Sequence, residues 1–193
     1  MKAITMCCAV ALVVGSEAIG TAQSPPVMPE WGGANEGLRM AISSLATRNA
    51  RPEERQFHVA IENIGDSDVM INLGDMVANE MSPQLVRLVL TDPQGATREL
   101  RWFDRRGGAP GRADDFLVAL RAGSVYLLRL SLDRYCSPAT REYKLKLARG
   151  QYRIEARFNG QGARFLNSDT PGIAHFNFWK GMLRSNSLAF QVP

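Results

Sequence analysis

The stretch LARGQYRIEARF, Leu147 to Phe158, places Gly150 just ahead of a run in which Tyr152, Ile154, Ala156 and Phe158 alternate with Arg153, Glu155 and Arg157. Alternate side chains of an extended chain face opposite sides, so a period of two describes a strand with one apolar and one charged face. The same period recurs on either side. Upstream it is carried by Leu38, Met40 and Ile42, by Phe57, Val59 and Ile61, by Val69, Ile71 and Leu73, and by Val86, Leu88 and Leu90. Leu100 and Trp102 end a further strand after the turn Asp92-Pro93-Gln94-Gly95. Then come Phe116 to Leu120, Tyr126 to Leu132 and Tyr143 to Leu147, and Leu188, Phe190 and Val192 close the chain. About ten short strands with turn signals between them predict an all-β fold, an antiparallel sandwich of about 8–10 strands.

The opening stretch also resembles the E–F corner of immunoglobulin and fibronectin type III folds, with Tyr152 in the place of the corner tyrosine whose hydroxyl ties the turn. An antibody domain has cysteine two residues later, where Ile154 stands here. The resemblance therefore implies an immunoglobulin-like sandwich without the inter-sheet disulfide. Across residues 56–159, FHVAIENIGDSDVMINLG, VRLVLTDPQGATRELRW, VYLLRLSL and GQYRIEARF resemble the strand order of the BsuPI-like proteinase-inhibitor family, itself a small β-sandwich. What that implies is fold, because the shared motifs are turn and core residues. The chain departs from the family in its export signal and long insertions, and no inhibitory residue carries over.

A chain of 193 residues is long enough for one well-buried domain. Its start has one lysine, an apolar run from Ala3 to Val14, and small residues at Gly20 and Ala22. This is the pattern of a signal peptide over residues 1–22, cleaved near Ala22. The run is shorter than the ~18 residues of a membrane span, so no transmembrane segment is expected after cleavage. Residues 23–37, rich in Pro and Gly, read as a flexible tail, and residues 38–193 as one sandwich domain. The expectation is export, to the periplasm or beyond. Cys7 and Cys8 would leave with the signal, and Cys136 alone cannot form an internal disulfide. The net charge is +4, carried by 19 Arg against 4 Lys. Arginine suits carboxylate or phosphate partners, although base composition also enriches it. The charge is spread along the strands without a basic stripe, which argues against nucleic acid.

Candidate chemistry is sparse. Cys136 lies near Arg134 and Arg141, which would lower a thiol pKa, and His58 or His175 could serve as a base. His58, however, alternates with core residues and faces outward. Two histidines and one cysteine are too few for a typical zinc site. Asp75, Asp104, Asp114, Asp115, Asp133 and Asp169 fall in expected loops, without the spacing of a calcium loop. No cofactor is expected. RWFDRRGGAPGRADD, Arg101 to Asp115, reads as an anion clamp or as a salt-bridged surface loop. FLNSDTPGIAHFNFWKG, Phe165 to Gly181, carries Phe176, Phe178 and Trp179, which either cap the core or form a contact surface.

Long and short connections alternate along the chain. If every strand reverses the one before, the long connections share one end, as variable loops do on an antibody domain. That end, with Arg105, Arg106, Arg112, Phe176, Phe178 and Trp179, is the expected binding surface. The function expected is an exported, non-catalytic binding or accessory module for a protein or surface ligand. The alternatives are an enzyme whose loop-built site uses Cys136 or the loop aspartates, and a structural component of an envelope assembly that adds its last strand, bearing Ser187 and Gln191, to a partner's sheet.

Overall fold

The computed structural model describes residues 30–45, 51–77, 80–103, 113–139, 144–164 and 176–193. Residues 1–29, with the expected signal and Cys7 and Cys8, lie outside these. So do Asp104, Arg105, Arg106, Arg112, Arg141, Asp169 and His175. The described residues form twelve strands: β1 (Leu38–Leu45), β2 (Gln56–Asn63), β3 (Val69–Val77), β4 (Glu80–Ser82), β5 (Val86–Thr91), β6 (Thr97–Trp102), β7 (Ala113–Leu120), β8 (Val125–Ser131), β9 (Tyr135–Cys136), β10 (Gly150–Gly160), β11 (Gly181–Arg184) and β12 (Leu188–Val192). Helical structure among them is confined to two single 3-10 turns, Pro52–Glu54 and Leu132–Arg134. No described helix is long and apolar enough to cross a membrane.

Every strand pair is antiparallel, in three sheets ordered β1-β2-β8, β4-β3-β7 and β11-β10-β5-β6-β9. β12 joins the large sheet on the first half of β10, beside β11 on the second half. The apolar sets expected from the period of two meet in one core. Met40, Ile42, Phe57, Val59, Ile61, Leu88, Leu90, Ile154 and Phe158 are all within 1% of complete burial. Phe57 of β2 approaches Phe190 of β12, with ring centroids 6.0 Å apart, and so ties the first sheet to the large one. The fold is an all-β antiparallel sandwich, as the patterning predicts.

Three strands escape that patterning. β4, β9 and β11 span three, two and four residues, too few for alternation to register. One expected strand is corrected. Within Tyr143 to Leu147, the described residues from Lys144 onward pair with nothing, although Leu145 is buried and Lys144 and Lys146 are exposed. Alternation reports which side faces the core and does not require a neighbouring strand.

The corner holds as the motif implies. Tyr152 is 3% exposed, its hydroxyl donates to the Ala148 carbonyl at 3.1 Å, and its ring stacks on Phe190. Gly150, at the start of β10, has φ of 147°, and a side chain there would collide with the ring of Pro93.

The aromatic stretch turns out to be a stitch between sheets. The Met70 N–H of β3 donates to Asn177 O at 2.8 Å, and the Trp179 N–H donates back to Met70 O at 2.9 Å. Trp179 stacks on Phe158 at 5.7 Å and its indole N–H donates to Glu36 O, just before β1. Beyond it, the Asn186 side chain stands in for backbone: it accepts from the Ile42 N–H at 2.7 Å and donates to Ile42 O at 3.1 Å. All three sheets are thereby tied to residues 177–186.

Candidate functional site

The expected binding end does not assemble. β10 spans the molecule. Its last residue, Gly160, pairs with Gly181 around the Trp179 ring beside Glu36, and its first, Gly150, lies against Pro93. Residues 161–180 therefore connect strands at the β1 start, whereas the connection from Leu45 to Gln56 leaves from the β1 finish. Tight turns also occupy both ends. Ile64 N–H bonds Gly37 O and Gly123 N–H bonds Asn63 O at one, and Asp92 to Gly95 meets Gly150 at the other. The long connections are thus not gathered at one end. Part of the cause is the unforeseen β4. β3 runs parallel to the segment at Phe178, which leads into β11; β11 and β5 both oppose β10, so β3 and β5 run in the same sense. The extra hairpin adds one reversal between them and moves the Asp92–Gly95 turn to the far end. β7 opposes β3 and β8 opposes β2, so the 121–124 turn is back beside Asn63. Residues 144–147 form no strand, which reverses β10 and carries residues 161–180 to the β1 start.

Of the residues expected to contact a partner, Trp179 is 4% exposed and belongs to the core, Phe178 is half-buried, and Phe176 is 49% exposed. Arg105, Arg106 and Arg112 lie outside the described residues. Cys136 is placed in β9, in register with Arg101, and is buried. Burial pushes its thiol pKa up, and the Arg101 charge offsets this only in part. A reactive thiolate needs the opposite balance.

The loop aspartates divide. Asp75 and Asp115 are brought opposite one another across β3 and β7, at a bulge between Asn72 and Asp75. The fully buried Asn72 donates to Asp115 at 2.7 Å and to Gly162 O at 3.0 Å, and accepts from the Gly74 N–H at 3.0 Å. The Arg164 N–H donates to both Asp115 oxygens at 2.9 Å, its guanidinium lies 3.7 Å from Asp75, and Gln84 donates to Asp75. These carboxylates accept donors that lock the bulge and hold residues 162–164 to β3. Asp133 lies elsewhere, in a cleft of about 190 Å³ with Arg51, Glu53, Glu54, Lys144 and Leu145.

A concentration of charge that the spacing hides lies on the outer face of the large sheet. The residues that alternate with the core on β11, β10, β5 and β6 fall into cross-strand rows. Arg157 is in register with Arg184 on one side and Arg87 on the other. Because Leu88 pairs with Leu100, Arg101 comes next to Arg87, so Arg184, Arg157, Arg87 and Arg101 form one row across four strands. The adjacent row is Glu155, Val89 and Glu99, and the next begins with Arg153. Arg157 pairs with Glu155 at 2.7 Å, and Arg87 and Arg101 share Glu99 at 3.0 and 3.2 Å. Arg184 and Arg153 are exposed and have no ion pair among the described residues. Met182, two residues before Arg184 on β11, is 52% exposed. A depression of about 110 Å³ opens there between Arg87, Glu99, Arg157, Phe158, Asn159 and Met182. Like charges directly opposite on neighbouring strands are destabilising, and these ion pairs, at the surface, contribute little each. Sequence reasoning missed the row because its members are 14 to 97 positions apart from one another along the chain, while register places them side by side.

No protein-family model matches the chain, and no curated protein matches it. Among solved structures it is similar to a crystal structure of a protein from Bordetella pertussis designated ApaA, at 9% identity and a TM-score of 0.42, over 86% of this chain and 98% of that one. It is also similar to the X-ray structure of the structural-genomics target SoR45, at 11% identity and a TM-score of 0.36, over 81% and 88% of the two chains.

Proposed function

We propose that the chain is an exported, non-catalytic binding or accessory module, and that its contact surface is the outer face of the large sheet rather than a loop-bearing end. One observation carries this reading: four arginines stand side by side across β11, β10, β5 and β6, with only Glu155 and Glu99 beside them. Such a row works against the sheet that bears it, and local rules are broken most often where function requires it. Arginine is also among the residues enriched at the centre of protein contacts. The enzyme alternative loses its thiol candidate, since Cys136 is buried with a raised pKa. The resemblance to BsuPI-like proteinase inhibitors fits the same class, a sandwich that binds, and proteinase inhibition by the purified chain would test it.

The test of the reading is retention of partners from the native envelope or secreted fraction by the immobilised mature chain, compared with Arg157→Gln/Arg184→Gln. Loss of the retained species in the double variant, with an unchanged melting temperature, is the expected result. Equal retention by both proteins would remove the contact role from this face.

A further inference from the structure

We propose that the arginine row takes an extended acidic peptide segment, laid across the strands, with its carboxylates on alternate residues. The proposal rests on the binding role given above to this face and names its ligand class. The geometry points to it through length and charge. Neighbouring strands are about 4.8 Å apart, so the row from Arg184 to Arg101 runs for about 14 Å. Alternate side chains of an extended peptide project to one side about 6.7 Å apart, so three acidic residues at positions i, i+2 and i+4 span about 13 Å. Arginine is suited to this task, since its planar fork receives a carboxylate through two parallel hydrogen bonds. The face already engages carboxylates on a small scale through single contacts: Glu155 holds Arg157, and Glu99 holds Arg87 and Arg101.

The same two glutamates select among anions. Arg184, Arg157, Arg87, Arg101 and Arg153 against Glu155 and Glu99 leave an excess of three positive charges, interleaved with negative ones. A phosphate backbone or an anionic bilayer presents unbroken negative charge and meets the Glu row as repulsion. A peptide with acids on alternate positions touches the Arg row and can leave the Glu row to its neutral residues. The exposed Met182, at the Arg184 end, offers an apolar contact to the residue flanking the acidic run.

The experiment is fluorescence anisotropy with three labelled probes: a peptide of alternating Glu and Thr, a peptide of the same composition with its Glu residues contiguous, and a single-stranded oligonucleotide. Anionic phosphatidylserine vesicles serve as a fourth probe, read by sedimentation. Wild-type chain is compared with Arg157→Gln/Arg184→Gln and with Arg129→Gln on β8, away from this face. The expected result is preference for the alternating peptide, with affinity reduced roughly tenfold in the double variant and unchanged in Arg129→Gln. Equal affinity for the two peptides would overturn the register argument. Binding of oligonucleotide or vesicles in place of either peptide, with loss in the double variant, would overturn the ligand class and leave the face as a binding surface. No binding of any probe, together with unchanged retention of native partners by the double variant, would overturn both. If the double variant lowers the melting temperature, Arg184→Thr alone replaces it, since Arg184 has no ion pair among the described residues to lose.

Discussion

Tyr152 and Cys136 show how far a single side chain can be read. The turn motif around Tyr152 was legible because the corner is local: glycine, one residue, then a tyrosine whose hydroxyl reaches back to Ala148. Removing that hydroxyl in Tyr152→Phe should cost about 0.5–1.5 kcal/mol, the worth of one net hydrogen bond, measured as a lower denaturation midpoint at unchanged slope. A neutral result would dissolve the corner. Cys136 was not legible, because its environment comes from Trp102 and Arg101 on β6, far off in sequence, which pair with β9. With its pKa raised by burial, the thiol should react with a thiol probe at neutral pH more slowly than a free cysteine, and faster as the pH rises. Fast labelling at neutral pH would contradict its placement.

At the level of the element, the strands with long alternating runs were legible and the short ones were not. β10 could be read to within a residue or two of its ends, whereas β4, β9 and β11 exist only because neighbours supply their hydrogen bonds. The aromatic segment belongs with them. Nothing local distinguishes a Trp on a contact surface from one that stacks on Phe158; the decision is made by β1, β3 and β10. Trp179→Ala should therefore destabilise the fold by about 3–5 kcal/mol, the cost of emptying an aromatic core site, and calorimetry would record it as a steep fall in melting temperature. Ser185, between β11 and β12, makes a finer prediction. Its hydroxyl accepts from the Ala156 N–H at 2.8 Å and donates to Asn186 O at 2.7 Å. Ser185→Ala leaves a buried N–H without that acceptor and should cost about 1–3 kcal/mol; a loss of a few tenths would show that the backbone bond from Ser185 N to Ala156 O suffices.

For the whole molecule, what the sequence could not convey is register. Each strand displays its own apolar face, but which outward residues become neighbours depends on strand order and pairing, and one unforeseen hairpin at β4 reversed the sense of β5 and β6, while the missing strand over residues 144–147 reversed that of β10. The same blindness concealed the arginine row. Charge that looks dispersed along the chain is concentrated once β11, β10, β5 and β6 lie side by side, and that concentration is the basis of the proposed function. If the row exists for contact rather than for stability, removing its unpaired end should relieve the fold. Arg184 faces Arg157 across the β10–β11 pair and has no ion pair among the described residues, and threonine is favoured in strands. The decisive measurement is the melting temperature of Arg184→Thr. It should equal that of the wild-type chain or exceed it by about 1–2 °C, as a relief of a few tenths of a kcal/mol implies, and a fall of several degrees would show that the row is structural and contradict the binding account.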